Sequence, residues 1–468
     1  MSPKNYEILK EIKDSKKKFD FVNKEKNFFS LNFGISEEKI IQISKIKQEP
    51  EWMLNLRKQS FKKFLSQEEP WWATSIKNND FKNYKYFVKA TEKVVDKWTK
   101  VPKSIKSTFN KLGILEAEQK WLSGVSTQYE SEVVYHKLLK EVEDKGVIFL
   151  DTDTALKKHP EYFKEFFGKV INFHDNKYAA LNTSVWSGGS FIYVPKNVKL
   201  DKPLQSYFRM NTRSFGQFER TLIIADENSS VHYIEGCTAP FYTKNSLHSA
   251  VVEIIVKKNA KVKYTTIQNW SKNVFNLVTK RALVEEGGKM EWIDGNIGSM
   301  VTMKYPSCIL KGDNSFGRTI SIAFADSKKI TQDTGSKMIH LGKNTKSEII
   351  SKTIAINGGT SIYRGMVFID KNALNSYSNV VCDTLLLDNK SKSKTLPWNQ
   401  VLNNSSYLEH EASISKIKEE EINYFKSRGI PREKAVQMIV MGFISNFQES
   451  LPMEYAVELN QLLKILIT

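Results

Sequence analysis

The pattern of apolar residues changes twice along the chain, and its first part has helical spacing. In SEEKIIQISKIKQEPEWMLNLRKQSFKKFL, residues 36–65, apolar side chains recur at intervals of three and four residues. This spacing places them on one face of an α-helix. The sequence therefore predicts a mostly helical region over residues 1–180.

Short β-rich runs dominate residues 181–415. Asn, Gly, Asp or Ser residues end each run, as in FERTLIIAD, AVVEIIV, KVKYTTIQNW, NLVTKRALV and EIISKTIAI. Such runs, rich in β-branched residues and bounded by turn formers, are typical of strands. Helices return over residues 416–468, where Pro431 precedes an amphipathic run. The pattern thus predicts a β-rich core between two helical regions.

The β-rich region also repeats weakly. A turn pair followed by an apolar or aromatic triplet recurs around Val231, Val262, Met290, Ser361 and Asn375, with a further copy at Ser347. Most of the separations are near multiples of about 14 residues, which is typical of coils stacked into a solenoid. We therefore predict a right-handed parallel β-helix, with an irregular antiparallel sandwich as the alternative.

Alternation along the predicted strands sorts the polar residues by face. In YTTIQNW, Thr266, Gln268 and Trp270 share one face, and Arg209 and Asn211 point the same way in YFRMNT. Buried polar side chains are costly unless they bond one another or line a channel. The spacing alone leaves both a bonded network and a channel open.

Composition narrows the class of protein. The net charge of +18 comes from 61 Lys and 9 Arg spread along the chain, and Arg makes the bidentate contacts that specific nucleic-acid binders favour. No apolar stretch is long enough to cross a membrane. Three separated cysteines indicate a reducing compartment. We expect no nucleic-acid partner, no membrane span and a Lys/Asn/Ile bias that reflects an AT-rich genome.

Several longer stretches are more specific than these patterns. QYESEVVYH, NTSVWSGGSFIYVPKNV, YIEGCTAP, EWIDGNIGSMVTMKYPS, GSKMIHLGKNTKSEIISK, SNVVCDTLLLD and LEHEASISKI closely resemble the SufB/SufD family of the SUF iron–sulfur cluster assembly machinery, on its SufB side. The resemblance runs from about residue 100 to the C-terminus. With the compositional bias, it suggests a plastid-encoded protein of an apicoplast or chloroplast stroma, or a cytoplasmic one if the source is bacterial.

The resemblance implies a β-helix scaffold, not an enzyme, that builds a transient iron–sulfur cluster. The partners would be the SufC ATPase, SufD, the cysteine desulfurase SufS with SufE, and apo acceptor proteins. Reduced flavin is a further possible cofactor. A purely structural SufD-like subunit is the alternative function. A carbohydrate-active β-helix enzyme would need paired acids on one outer groove, and this sequence has none outside LEHEA. None of the Gly-Lys pairs has the Ser or Thr that a P-loop requires.

The resemblance also marks Cys237 as the sulfur acceptor. A thiolate must attack the outer sulfur of a donor persulfide, which requires a depressed pKa or basic neighbours. In the family, matching polar residues line the inside of the β-helix, where cations could stabilise a passing persulfide. In this sequence they are Arg209, Asn211, His248, Thr266, Gln268, Trp270 and Lys280.

A second site follows from the same resemblance at Cys382, with Glu411, His410 and Glu409 as further cluster-ligand candidates. Thiolate, imidazole and carboxylate can hold iron in a transferable cluster. In an extended strand, Glu409 and Glu411 face opposite to His410, so all three reach one cluster only if the backbone bends. An incomplete ligand set would require a partner subunit. Cys308, in an apolar context, is expected to be a core residue.

Overall fold

The computed structural model describes residues 28–77, 79–91, 101–102, 105–106, 122–239 and 245–451. In chain order the strands are β1 (Phe29–Ser30), β2 (Val88–Lys89), β3 (Gly124–Tyr129), β4 (Glu132–Leu138), β5 (Ile148–Asp151), β6 (Ser190–Val194), β7 (Leu204–Arg209), β8 (Gly216–Ala225), β9 (Ser230–Thr238), β10 (Ser246–Val256), β11 (Lys261–Trp270), β12 (Val274–Val284), β13 (Lys289–Gly298), β14 (Val301–Lys304), β15 (Ser307–Leu310), β16 (Phe316–Ala325), β17 (Thr331–His340), β18 (Lys346–Ala355), β19 (Thr360–Ile369), β20 (Tyr377–Leu386), β21 (Lys392–Val401) and β22 (Tyr407–Lys416).

The α-helices of the described residues are fewer than the strands, and they lie before residue 186 and after residue 418. They are α1 (Glu37–Lys47), α2 (Glu51–Ser66), α3 (Lys140–Glu143), α4 (Thr152–Lys158), α5 (Pro160–Phe166), α6 (Lys177–Val185), α7 (Glu419–Ser427), α8 (Arg432–Phe443) and α9 (Ser445–Ser450). The Ser36 hydroxyl caps α1 by accepting from the backbone N–H of Lys39, and Pro431 occupies the N-cap position of α8 without a side-chain hydrogen bond. The predicted helices near residues 36–65 and after Pro431 are confirmed.

Two sheets form the core of the molecule, and the chain alternates between them. Sheet I runs in the order β5-β6-β8-β10-β12-β14-β17-β19-β21, with β15 continuing the β14 position, and sheet II in the order β4-β3-β7-β9-β11-β13-β16-β18-β20-β22. From β6 and β7 onward each ladder is parallel. The described residues thus form a parallel β-helix of about seven turns, which confirms the predicted mainly β fold with flanking helices.

The register explains the weak sequence repeat. In sheet II, Val231 pairs with Val262 and Val262 with Met290, so these residues are one coil apart. Ser361 instead lies in β19 of sheet I, and Asn375 lies in a turn between the sheets. A separation near 14 residues is therefore about half a coil, which corresponds to passing from one sheet to the other.

A residue with left-handed backbone geometry stands in every turn that leads from sheet I to sheet II between β8 and β20. These residues are Asn228, Asn259, Gly287, Asn314, Asn344 and Asn375, with φ between 55° and 61°. Asparagine and glycine tolerate this geometry better than other residues. Successive turns also bond one another, since the backbone N–H of Asn228 donates to the carbonyl of Lys258 and that of Asn259 to Glu286. The turns therefore stack in register with the coils.

The helical regions cover the outer faces of both sheets. Ile40 and Phe64 of the N-terminal helices share an apolar cluster with Phe218 and Leu247 of sheet I. Val440 and Phe447, near the C-terminus of the described chain, belong to a cluster on sheet II. The structure also places β3, β4 and β5 before residue 180, within the region predicted to be mostly helical. The predicted domain boundaries at 180 and 415 stay a prediction.

Candidate functional site

Cys237 lies inside the solenoid on β9, where Tyr233, Glu235 and Cys237 share the inward face. The side chain is completely buried. Its Sγ lies 3.5 Å from Glu235 Oε1, and the hydroxyl of Tyr264 donates to the other oxygen of Glu235 at 2.5 Å. Glu219 from sheet I completes a cluster in which one ligand atom from each of Glu219, Glu235 and Cys237 lies within 4.8 Å of the other two. The predicted acceptor thiol is therefore next to two carboxyl groups.

The surroundings oppose ionisation of this thiol. Burial raises the pKa of Cys237 well above its usual value, and the charges of Glu235 and Glu219 raise it further, although Lys304 and Lys280 act in the opposite direction. The sequence analysis expected a depressed pKa or basic neighbours. The basic neighbours are present, but the direction of the pKa shift is the reverse of that expectation. In this conformation the thiol is protonated.

Lys280 and Lys304 share one buried carboxylate. Lys280 Nζ lies 3.0 Å and Lys304 Nζ 2.8 Å from Asp294 Oδ1, and Lys280 also donates to Thr266 Oγ1 at 2.6 Å. Burial alone would raise the pKa of Asp294, but the two ammonium groups hold it well below its usual range. Burial lowers the pKa of Lys304 to about 8 in spite of Asp294. The interior thus contains two lysines held by one acid.

His248 takes part in a chain of side-chain hydrogen bonds across the interior. Its Nδ1 lies 2.7 Å from Asn276 Oδ1, and Asn276 Nδ2 donates to Gln268 Oε1 at 2.9 Å. The ring packs against Trp270 with 4.6 Å between centroids, and its Nε2 lies 3.5 Å from Glu219 Oε2. The structure therefore brings together His248, Gln268 and Trp270 of the predicted residues, in addition to Thr266 and Lys280.

Arg209 and Asn211 are placed differently. Arg209 pairs in register with Thr238 and donates to its hydroxyl at 3.2 Å, so it lies on the face of sheet II opposite to Cys237. The backbone N–H of Asn211 donates to Glu130 Oε1 at 3.2 Å. Both side chains are buried. Arg209 therefore does not line the same interior surface as the cysteine.

Two columns of inward-facing residues connect the Cys237 region to Cys382 along sheet II. The register gives one column as Glu235, Thr266, Asp294, Ser321, Ser351 and Cys382, and the next as Cys237, Gln268, Asn296, Ala323, Thr353 and Thr384. All are buried, and Ser321 Oγ donates to Ser351 Oγ at 3.2 Å. We call these two columns the polar stripe. It spans five coils, the separation that the sequence spacing predicted.

Cys382 lies near the end of the solenoid. Its Sγ is 3.9 Å from Thr395 Oγ1 of β21, and burial raises its pKa to about 11. His410, one coil further, shares the inward face with Cys382, and its Nδ1 lies 3.0 Å from Asn399 Nδ2. Among the described residues, no carboxylate is hydrogen-bonded to the Cys382 thiol.

Glu409 and Glu411 face outward on the regular strand β22. The hydroxyl of Tyr377 donates to Glu409 Oε2 at 2.7 Å on that outer surface. Glu411 pairs in register with Val381, next to Cys382 but on the opposite face. The structure thus brings His410 toward Cys382 and keeps both glutamates on the other side of the strand.

Comparisons with known proteins agree with this architecture. A family model described as SUF system FeS cluster assembly, SufBD core domain, matches residues 208–443, and one for the SufBD protein N-terminal region matches residues 37–206. An iron–sulfur cluster assembly SufBD family protein of Staphylococcus haemolyticus is 57% identical over 447 residues, covering 96% of each chain. One of Staphylococcus saprophyticus is 56% identical over 446 residues, covering 95% of this chain and 96% of its own. This chain belongs to the SufBD family.

The SufBD relatives named here are bacterial. They give no support to the plastid origin that the composition suggested, and nothing in the SufBD match supports the predicted flavin. No helix among the described residues is long and apolar enough to cross a membrane.

Cys308 of this SufBD protein is a core residue, as predicted. It is completely buried in an apolar cluster that includes Leu310 and Met338, and burial raises its pKa to about 12. His340 bonds Thr345 and Ser347 at 2.8 Å each. These contacts give both residues a structural role away from the polar stripe.

Five residues of this interior site were not predicted from the sequence: Glu219, Glu235, Asn276, Asp294 and Lys304. A signal for Glu235 was present, because the alternation that grouped Thr266 with Gln268 also puts Glu235 on the same face as Cys237. The other four come from neighbouring strands. Only the register between coils shows that they meet at Cys237.

Proposed function

We propose that this protein is a SufB-type scaffold that accepts sulfur at Cys237 and assembles a nascent iron–sulfur cluster at Cys382. The polar stripe is the observation that carries the proposal. It provides continuous interior polar groups between two buried thiols. A merely structural SufD-like subunit would have no use for such a connection.

Sulfur acceptance at Cys237 would be a persulfide exchange. The Cys237 thiolate attacks the outer sulfur of the donor persulfide, the donor thiolate leaves, and Cys237 becomes the persulfide. Since the buried thiol is protonated, the step requires an opening that admits the donor and solvent. Lys280 and Lys304 then stabilise the anionic persulfide, because a persulfide that reaches the interior meets two ammonium groups.

The cluster itself is cargo, and Cys382 with His410 supplies only part of its ligands. Strands β21 and β22 end their sheets, and their edges have no further strand among the described residues. Trp398 and Tyr407 on this last coil are 49% and 70% exposed. We therefore propose that a SufD-type subunit docks at this end and completes the cluster site, with Glu409 or Glu411 joining only if β22 bends.

The remaining partners follow from the same assignment. ATP hydrolysis would belong to SufC and desulfuration to SufS with SufE, and the completed cluster would pass to apo acceptor proteins in a bacterial cytoplasm. Two apolar stretches near the C-terminus, AVQMIVMGFISNF over residues 435–447 and MEYAVELNQLLKIL over residues 453–466, are the sequence candidates for docking SufC. The apolar side of α8 and α9, in the first stretch, packs on sheet II and is already covered. The second stretch lies outside the described residues.

Replacing Cys237 tests sulfur acceptance. We expect the Cys237→Ser variant to take up no radioactive sulfur from a desulfurase, while Cys382→Ser and the core control Cys308→Ala are labelled like the wild type. Chemical reconstitution of a cluster on Cys237→Ser would stay partly intact, because the cluster ligands are elsewhere. Equal labelling of Cys237→Ser and wild type would refute the assignment.

Blocking the polar stripe tests the interior path. Ser351→Val replaces the hydroxyl between Ser321 and Cys382, and we expect it to leave Cys237 persulfidated while the yield of cluster falls about tenfold or more. Ser347→Val is the matched control, since Ser347 is on the same strand and face but outside the stripe. Equal cluster yields in both variants would indicate that sulfur travels outside the solenoid.

A further inference from the structure

The carboxyl group of Glu219 is unusual because it is buried in the interior with no hydrogen-bond donor in bonding geometry. The side chain is 1% exposed, and neither oxygen has a hydrogen-bond partner among the described residues. Its oxygens point toward Glu235 and Cys237, as the mutual distance of at most 4.8 Å between their ligand atoms shows. A buried polar group in this condition indicates a missing partner.

His248 lies beside this cluster, with its Nε2 3.5 Å from Glu219 Oε2, but it is not among the three residues whose ligand atoms lie within 4.8 Å of one another. Lys304, which can only donate, approaches Gln268 Oε1 at 3.4 Å, and the same oxygen accepts from Asn276 Nδ2. The amide orientation of Asn276 then leaves its Oδ1 to accept from His248 Nδ1. In the neutral ring this places the lone pair on Nε2, the atom that faces Glu219.

When His248 is neutral and Glu219 is ionised, two acceptors face each other with no donor between them. His248 Nε2 has no hydrogen-bond partner among the described residues, and it lies 3.5 Å from an oxygen of Glu219 that also lacks one. A cation between these atoms would satisfy both. In metal sites, a hydrogen bond from the other ring nitrogen to an oxygen acceptor orients the histidine ligand. His248 Nδ1 makes such a bond to the amide oxygen of Asn276.

We propose that Glu219, Glu235 and Cys237, with His248 Nε2 as a fourth ligand, bind a divalent transition metal ion inside the solenoid. One thiolate, one imidazole and two carboxylates suit iron(II) or zinc(II), whereas magnesium and calcium prefer oxygen ligands alone. On binding, the thiol releases its proton to solvent and the sulfur–metal bond forms, with no change of oxidation state.

The site has a consequence for the sulfur chemistry, and this consequence rests on the proposed function. Cys237 Sγ cannot hold a metal ion and attack a donor persulfide at the same time. Metal occupancy and sulfur acceptance would therefore exclude each other at this atom. The site would act as a metal-dependent block on sulfur entry.

Cobalt(II) provides the test, because a thiolate–cobalt bond has its own charge-transfer absorption. We expect the full-length apo protein, titrated without oxygen, to take up one cobalt ion with this absorption, and zinc(II) to displace it. Glu219→Gln and Cys237→Ser should weaken binding about tenfold or more. Cys308→Ala, which alters a core thiol away from both sites, should bind cobalt as the wild type does. A second titration, of protein refolded in the presence of cobalt, detects binding even when cobalt enters the closed interior slowly.

The outcomes separate this proposal from the proposed function. Absence of the thiolate–cobalt absorption in wild type after both procedures would overturn the metal site, as would its persistence in Glu219→Gln together with its loss in Cys382→Ser. Sulfur labelling of the same Glu219→Gln protein reports on the proposed function alone, since Cys237 is intact there. Zinc-loaded wild type should resist labelling, and zinc-loaded Glu219→Gln should not.

Discussion

The two cysteines of the polar stripe lie in contrasting surroundings. Cys237 on β9 has β7, β3 and β4 on one side in sheet II and six further strands on the other, and Glu235, Asp294 and two lysines place buried charges around it. Cys382 is one coil from the end of the solenoid, where its Sγ lies 3.9 Å from the neutral Thr395 hydroxyl and its charged neighbour Asp383 is paired with Lys352 on the other face of the strand. One thiol is in a closed, charged interior, and the other is near an open edge.

Under the proposed function, this contrast would divide sulfur acceptance from cluster assembly. A reactive sulfur species is protected from solvent when it is held among buried charges, and its entry can be controlled by an opening of the structure. A cluster that must leave for another protein is better held where few groups bind it. The closed region therefore suits the reception of sulfur, and the open end suits assembly and release with a partner.

The largest expected effect concerns the open end. We predict that Trp398→Lys on β21 abolishes co-purification with a SufD subunit, because it places a charge on the exposed apolar surface that the partner would cover. Phe28→Lys is the control, since Phe28 is 61% exposed and bonds the backbone of Lys89, which bridges to Glu130 between β3 and β4 at the other end of sheet II. Capture of SufD by Trp398→Lys at the wild-type level would place the partner elsewhere.

A pair of aspartate substitutions compares the electrostatics of the two regions. Asp294→Asn leaves Lys280 and Lys304 buried without their carboxylate, and we expect the free energy of unfolding to fall by about 4 kcal/mol. Asp383→Asn, next to Cys382, removes a partly exposed pair with Lys352 at 2.9 Å and should cost at most about 1 kcal/mol. Urea denaturation of both proteins measures the difference. Similar losses of unfolding free energy in both variants would mean that buried charge pairs contribute no more to stability in the closed region than near Cys382.

The pH dependence of stability gives a finer test of the closed region. Burial lowers the pKa of Lys304 to about 8 from 10.5, so between these values the unfolded chain binds more protons than the folded one. Stability conferred by this residue therefore rises with pH across that window. Relative to Lys304→Met, the free energy of unfolding of the wild type should increase by about 3 kcal/mol from pH 8 to 10.5. Lys352→Met, on the outer surface near Cys382, is the control, and an equal change there would contradict the prediction.

The fold could be predicted from the sequence because the solenoid repeats its own local rules. Val231, Val262 and Met290 follow turn residues at each coil, so the period is visible in one chain. The short strands before residue 180 were not predicted. They carry no repeat and are held by pairing with β6 and β7, which is a tertiary effect.

The candidate site was predictable only in part. Alternation placed Thr266, Gln268 and Trp270 on one face, the resemblance implied that this face is the interior, and the structure places all three there. The same rule could not show that Asp294 from the next coil lies between two lysines, because this depends on register. The raised pKa of Cys237 was also hidden, since it arises from burial and from Glu219 on the facing sheet.

The stacked left-handed turns have a consequence for the spacing of the two thiols. Each turn returns the chain to sheet II with the inward and outward positions preserved, and the coils between Cys237 and Cys382 keep that phase. An insertion or deletion in these coils keeps the inward and outward faces in place only if it adds or removes a complete coil or lies in a loop. The distance between the thiols therefore takes discrete values, separated by one strand spacing of about 4.8 Å. The solenoid is in effect a molecular ruler, and its smallest graduation is one coil.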